Sequence, residues 1–320
     1  MASTLWSGSP AFSTLVTAVG GYTTAILTSP QSPGLSPELP WPVALIIVVA
    51  VAVGAGLFIG APVIRMRGDY LAIVTLGFGE IIRLTVRSDW ASGLTGGAQG
   101  ITGIPGAQIF RTNIPGTDFL EVALVRGVDP RGVFYLVAFF CAVAIYISWR
   151  LERSRLGRAW MAVREDESVA EAMGINTVNV KLMAFVVGAV LAAFSGAIFA
   201  AKVGSVFESS FKILVSIVIL VVVIVGGMGR IAGIIAGSVV LIGVLGGPNQ
   251  PGLLAEFSEF KLLIYGALLV WMMLKRPEGL IPNVRRSREL HQEEFLQDAW
   301  LKGELDDDDD PGVDGKVAPA

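Results

Sequence analysis

The chain has 320 residues, 53% hydrophobic and 16% charged, with a mean hydropathy of +0.66; a soluble domain carries about 25% charged residues, so lipid is the expected solvent. The net charge of −3 gathers in the last stretch and no basic face accompanies a soluble fold, which excludes nucleic acid as a partner. A single cysteine, Cys141, and a single histidine, His291, exclude a disulfide framework and a metal centre.

No basic region precedes a short apolar core at the start, so no cleavable signal peptide is expected. A hydrocarbon core about 30 Å thick takes roughly 20 apolar residues in a helix. Segments near 11–28, 42–62, 70–86, 132–149, 179–201, 211–228, 231–246 and 260–275 answer to that need. They predict an all-α polytopic transmembrane helical bundle of about eight spans over residues 1–276. The first and seventh are short and rich in glycine, which blurs their ends.

The third span carries Glu80 and Arg83 on one helix face. Ionisable groups at membrane depth are costly unless paired or facing water, so the two are read either as a packing ion pair or as part of a translocation pathway. The loop from 87 to 131 holds "LTGGAQG", where Thr95, Gln99 and Thr102 sit among glycines. Such residues suit polar contacts with a passing solute, and equally an ordinary loop.

Residues 150–178 break the apolar pattern with Arg158, Arg164, Glu165, Asp166, Glu167 and Glu171. Between Arg164 and Gly174 the residues favour helix; Asp166 can cap its start, acidic groups suit the N-terminal end, and Gly174 can close it. Val169 and Met173, with Ala170 beside them, make a narrow apolar stripe. A helix this short needs a surface to dock on. Further on, Gly229, Gly233 and Gly237 recur every four residues, the pattern of a close helix crossing. From 277 to 320 the composition becomes that of a charged tail, first basic and then an acidic disordered run.

Lys and Arg in the connections set orientation. With the C-terminus inside, the groups around Arg65, Arg150–Lys181, Arg230 and Lys275–Arg288 are cytoplasmic. They hold roughly twice as many basic residues as the outer connections. Both termini and the 150–178 loop are therefore expected in the cytoplasm. The sequence carries neither a phosphate-binding loop nor a grouping suited to catalysis.

The blocks "RMRGDYLAIVTLGFGEIIRL", "LTGGAQGITGIP", "GRAWMAVREDESVAEAMGI", "VVIVGGMGRIAG" and "RPEGLIP" follow one another in the order of a known family. The chain resembles the LivM-type permeases of branched-chain amino acid importers driven by ATP-binding-cassette subunits. The resemblance implies that 150–178 is a coupling loop, in which Arg164, Glu165, Asp166, Glu167, Ala170 and Gly174 meet a groove of an ATPase. Ser168, Val169 and Ala170 stand where the wider superfamily carries Glu-Ala-Ala, a looser form expected of this branch.

It also implies the partners: two ATPase subunits, a second LivH-like permease, an external substrate-binding protein and the lipid of the plasma (inner) membrane. No cofactor is expected on this chain, since ATP and Mg would sit on the ATPases, and the chain is not expected to be an enzyme. "GSPAFSTLVTAVGGYTTAIL" resembles the second half of a region that follows an earlier span in the family, which leaves open whether an N-terminal span is truly missing here or lost to a misplaced start. Two other readings remain open: the same architecture carrying urea or short-chain amides, and an ion-driven secondary transporter, for which Glu80 is the one available carboxylate.

Overall fold

A computed structural model describes residues 10–35, 37–63, 69–107, 130–227, 231–246, 253, 260–275 and 279–280. Residues 108–129 of the 87–131 loop, Gly229 and nearly all of the 277–320 tail, with its His291, lie outside the described residues, and so do the expectations that fall on them.

Each of the eight apolar segments forms a helix: α1 (Pro10–Thr28), α2 (Trp41–Val63), α3 (Asp69–Arg87), α5 (Pro130–Glu152), α8 (Thr177–Val203), α9 (Ile213–Gly226), α10 (Ile231–Ser238) and α11 (Lys261–Lys275). Among the described residues four helical stretches, 41–63, 132–152, 177–203 and 208–226, are long and apolar enough to cross a membrane. Those at 12–28, 231–244 and 263–275 are shorter, and α10 runs on as a π-helical turn over Val239–Val244. The chain is therefore an all-α multi-pass membrane protein.

The described helices gather into two compact units, 1–220 and 221–320, with the boundary inside α9. In the first unit α1 lies along α8, and α2 packs on both. Lipid tails are as apolar as leucine, so helices there associate by close packing and hydrogen bonds rather than by escape from water. The α1–α8 contact is made by small residues. A Cβ added to Gly196 would come within 2.0 Å of the Thr17 carbonyl oxygen, and one on Gly20 within 2.4 Å of that of Ala193. The core beside this seam holds Phe12, Val16, Val48, Ile59 and Ala189. Three threonines of α1, Thr23, Thr24 and Thr28, are satisfied inside the helix, each donating to the carbonyl four residues back.

At one end of this unit α1, α3 and α8 finish and α2 and α9 begin. There "LTGGAQG" folds into a short helix, α4 (Ser92–Thr95), and a 3-10 turn over Gly97–Gln99. Next come β1 (Ile101–Thr102) and its antiparallel partner β2 (Ser205–Val206), which follows α8. Gly100 has a φ of +64°, and a Cβ there would meet the Val206 carbonyl oxygen at 2.3 Å, so the pairing needs glycine.

At the opposite end the helix expected behind an Asp166 cap and closed by Gly174 forms as α7 (Glu167–Ala172), and a further helix, α6 (Arg155–Glu165), precedes it. The break falls on Asp166. Its carboxylate hydrogen-bonds its own downstream backbone in competition with helix continuation, holding the residue extended at φ −150°, ψ 118°.

Candidate functional site

The α6–α7 hairpin is built from its caps inward. Ser154 accepts from the Gly157 N–H at 3.1 Å and starts α6. Asp166 Oδ1 accepts from the Ser168 N–H at 2.8 Å, the Val169 N–H at 3.1 Å and the Ser168 hydroxyl at 2.6 Å. These bonds, led by that of the Ser168 hydroxyl, hold its pKa below the usual carboxylate range. Gly174, at φ +84°, ends α7, where its N–H bonds the Glu171 carbonyl at 2.9 Å and the Ile175 N–H bonds that of Ala170 at 3.0 Å.

The hairpin is fastened to the spans through Trp160, Val163, Ala170 and Val180, which pack as one cluster. The Trp160 indole N–H donates to the Val180 carbonyl at 2.8 Å. Lys181 on α8 donates to Glu167 at 2.6 Å. The expected apolar stripe is thereby split. Ala170 is 3% exposed and belongs to the anchor, while Val169 and Met173 are 58% and 78% exposed and point away from it. Glu165 and Glu171 are exposed beside them and Arg164 is half-buried. The result is a rigid knob with two apolar side chains in an acidic setting.

A second place of interest lies at the other end of the first unit. Arg83 donates through Nε to Glu80 at 3.0 Å and through Nη2 to the same carboxylate, a two-pronged grip. Its Nη1 reaches Glu208 at 2.5 Å, on the 3-10 turn Glu208–Phe211 between β2 and α9. Arg87 Nη1 lies 3.8 Å from the same Glu208. The three ions line a cleft of about 30 Å³ whose wall also includes Tyr22, Thr14 and Ser216. The Ser216 hydroxyl donates to that of Thr14 at 2.8 Å.

Of the residues named for a pathway, Glu80 and Arg83 are brought together here. Thr95, Gln99 and Thr102 are not among the residues lining this cleft. Thr95 donates to the Val86 and Ala91 carbonyls at 2.8 and 2.9 Å, which shapes the loop, and Thr102 donates to Gln31 at 2.9 Å, which ties the loop to the α1–α2 connection. Gln99 is exposed.

Glu208 escaped the sequence reading, although a signal existed: it is the sole carboxylate between Thr177 and Ala255. An acid so isolated among apolar spans invites a search for its cation.

In the second unit, a Cβ on Gly233 would come within 2.5 Å of the Gly226 carbonyl oxygen, and one on Gly237 within 2.7 Å of the Gly226 Cα. Both glycines sit at a crossing of α10 with the end of α9. Gly229 is outside the described residues.

The family model described as "Branched-chain amino acid transport system / permease component" matches residues 11–273. The chain is 38% identical over 283 residues to the high-affinity branched-chain amino acid transport system permease protein LivM of Escherichia coli, covering 84% of this chain and 62% of the relative. The LivM protein of Salmonella typhimurium gives the same identity over 278 residues. A relative of a second kind is the permease protein LivH of Escherichia coli, 30% identical over 158 residues, 49% of each chain. The chain thus spans less than two thirds of the length of these two LivM proteins. No solved structure matches it.

Proposed function

The chain belongs to the family of branched-chain amino acid transport permease components, and from that premise we propose that it is the membrane-spanning subunit of an ATP-driven importer of branched-chain or other neutral amino acids in the plasma (inner) membrane. The observation that carries the reading is the α6–α7 knob. It is anchored to α8 by Trp160 and Lys181 and offers Val169 and Met173 outward. An anchored helix with two exposed apolar side chains suits a partner that pushes on it, because force applied there is passed to α8 through packed and hydrogen-bonded contacts.

On this reading two ATPase subunits dock under the knob and carry the ATP and Mg, and the chain hydrolyses nothing itself. Arg164, Glu165 and Glu171 form the polar rim of that contact, and Val169 and Met173 its centre. The second permease is LivH-like, and the similarity of this chain to LivH over about half its length supports a partner of related fold. An external binding protein delivers the solute, and both termini lie in the cytoplasm.

The test is isolation of the tagged chain from mildly solubilised membranes. ATPase subunits and a second permease are expected with it. Val169→Asp combined with Met173→Asp should reduce the recovered ATPase about ten-fold while leaving membrane insertion unchanged. Full recovery with that variant, or transport by the chain alone without ATP, overturns the proposal.

A further inference from the structure

We propose that the cleft between α1, α3 and the start of α9 is a transit site for an aliphatic zwitterion, in which Arg83 takes the solute carboxylate and Glu208 its ammonium group. This rests on the importer reading and adds a solute-contacting site to it.

In the state described the cleft is narrow, with the Glu80 side chain reaching its open side. Its volume of about 30 Å³ holds a water or two, too little for an amino acid. What fills the place of a solute is the chain's own charge: Glu80 and Glu208 occupy the guanidinium of Arg83 from two sides. An arginine fork matches carboxylate geometry, so each glutamate stands where a free carboxylate would bind.

The three ions differ in how easily they move. Glu80 and Arg83 share a face of α3, three residues apart, and are held in register by one helix. Glu208 sits on a four-residue turn and reaches Arg83 through a single guanidinium nitrogen. It is the arm that can swing. When an entering carboxylate takes the Nη1 position, the displaced Glu208 meets the ammonium group that arrives with it. With Arg87 counted beside Glu208, two cations and two anions become three cations and three anions, net charge is unchanged, and every ion keeps a partner. A solute with only one of the two charges would leave one of these ions unpaired in a poorly hydrated place, which is costly.

Two further features fit such an occupant. Tyr22 lines the cleft, and its hydroxyl is buried with no hydrogen-bond partner among the described residues. The tyrosine as a whole is 5% exposed and its ring lies 6.3 Å from that of Phe211. A buried hydroxyl without a partner needs a reason, and a passing carboxylate provides one. The remaining wall is largely aliphatic, with Leu15, Leu76, Ile82 and Ile213 available to a branched side chain.

The experiment uses the complete importer, with its ATPases, second permease and binding protein, in liposomes, and follows uptake of L-leucine. Arg83→Lys keeps the charge and loses the fork; Glu208→Gln keeps the size and loses the charge. Each should lower ATP-driven uptake about ten-fold while ATP hydrolysis stimulated by the binding protein persists.

A purely structural bridge would tolerate exchange of its ends, so the double variant Arg83→Glu with Glu208→Arg separates the two roles. It should leave uptake low, and uptake restored to the wild-type rate overturns the inference. Single variants that transport as well as the wild type also overturn it, and leave the importer reading standing. A wild-type assembly that accumulates no amino acid with ATP removes both.

Should the charge variants fail to assemble, Ser216→Cys in a Cys141→Ser background supplies the reading. L-leucine during turnover should protect the new thiol from a soluble reagent, and unchanged labelling overturns the assignment.

Discussion

The α1–α8 seam and the α6–α7 hairpin belong to the same compact unit and are held together in opposite ways. Along the seam, contact is made where atoms are missing. Gly20 and Gly196 let backbones approach to distances that a single methyl group would forbid. In the hairpin, contact is made by groups that are present: the Ser154 and Asp166 caps, the Trp160 indole N–H and the Lys181–Glu167 pair. The difference follows from the solvent. In lipid, apolar surface gains little by leaving its surroundings, so fit decides. At the aqueous end, backbone donors compete with water and must be capped, and side chains must be fastened.

The comparison breaks most severely at Gly196. Gly196→Ala would drive a methyl group into the Thr17 carbonyl and should destabilise the protein by about 3 kcal/mol or more, read as a lower unfolding temperature in detergent. Gly188→Ala on the same helix, where nothing lies within 4 Å, should be neutral or slightly stabilising, since alanine favours helix by about 1 kcal/mol. Equal losses at the two sites would mean that helix propensity rather than fit governs the seam.

At the other end, Trp160→Phe removes a buried donor and part of the anchor. It should cost about 1–3 kcal/mol, with faster amide exchange in α6 and α7 and no change along α1. Lys181→Met should loosen α7 less, by about 1 kcal/mol or under, because Glu167 remains partly exposed and keeps its hydration. Exchange protection of the α7 amides, measured beside that of Trp160→Phe, gives the ranking.

The smallest effect is a dependence on pH. The folded pKa of Asp166 is depressed, so its cap contributes fully above the ordinary carboxylate range and is lost as pH falls through the folded value. Protection of the Ser168 and Val169 amides should therefore fall in acid, and Asp166→Asn should flatten that dependence. Acid-insensitive protection in the unaltered chain would show that the cap does not hold α7.

Much of this was legible in the residues. Apolar runs marked eight of the helices, and among the described residues four stretches are long and apolar enough to cross a membrane, because a helix in lipid must be apolar nearly all round. Asp166 as a cap and Gly174 as a terminator were readable, because both act on backbone within a few residues. What was not legible is α6, the separate helix ahead of that cap, because its hold on α8 through Trp160 and Val163 is a tertiary contact. For the same reason the apolar stripe was assigned one face, when Ala170 points inward and its neighbours outward.

The sequence by itself determined that this is a multi-pass helical protein with a charged connection between two spans, because solvent preference and capping are local properties. Tertiary structure alone decided which residues meet across the chain. Arg83 and Glu208 are 125 positions apart, Gly196 faces Thr17, and Thr95 and Thr102 bond the loop rather than line the cleft. Helical periodicity says which face a residue occupies; it carries no information about which other face will be packed against it.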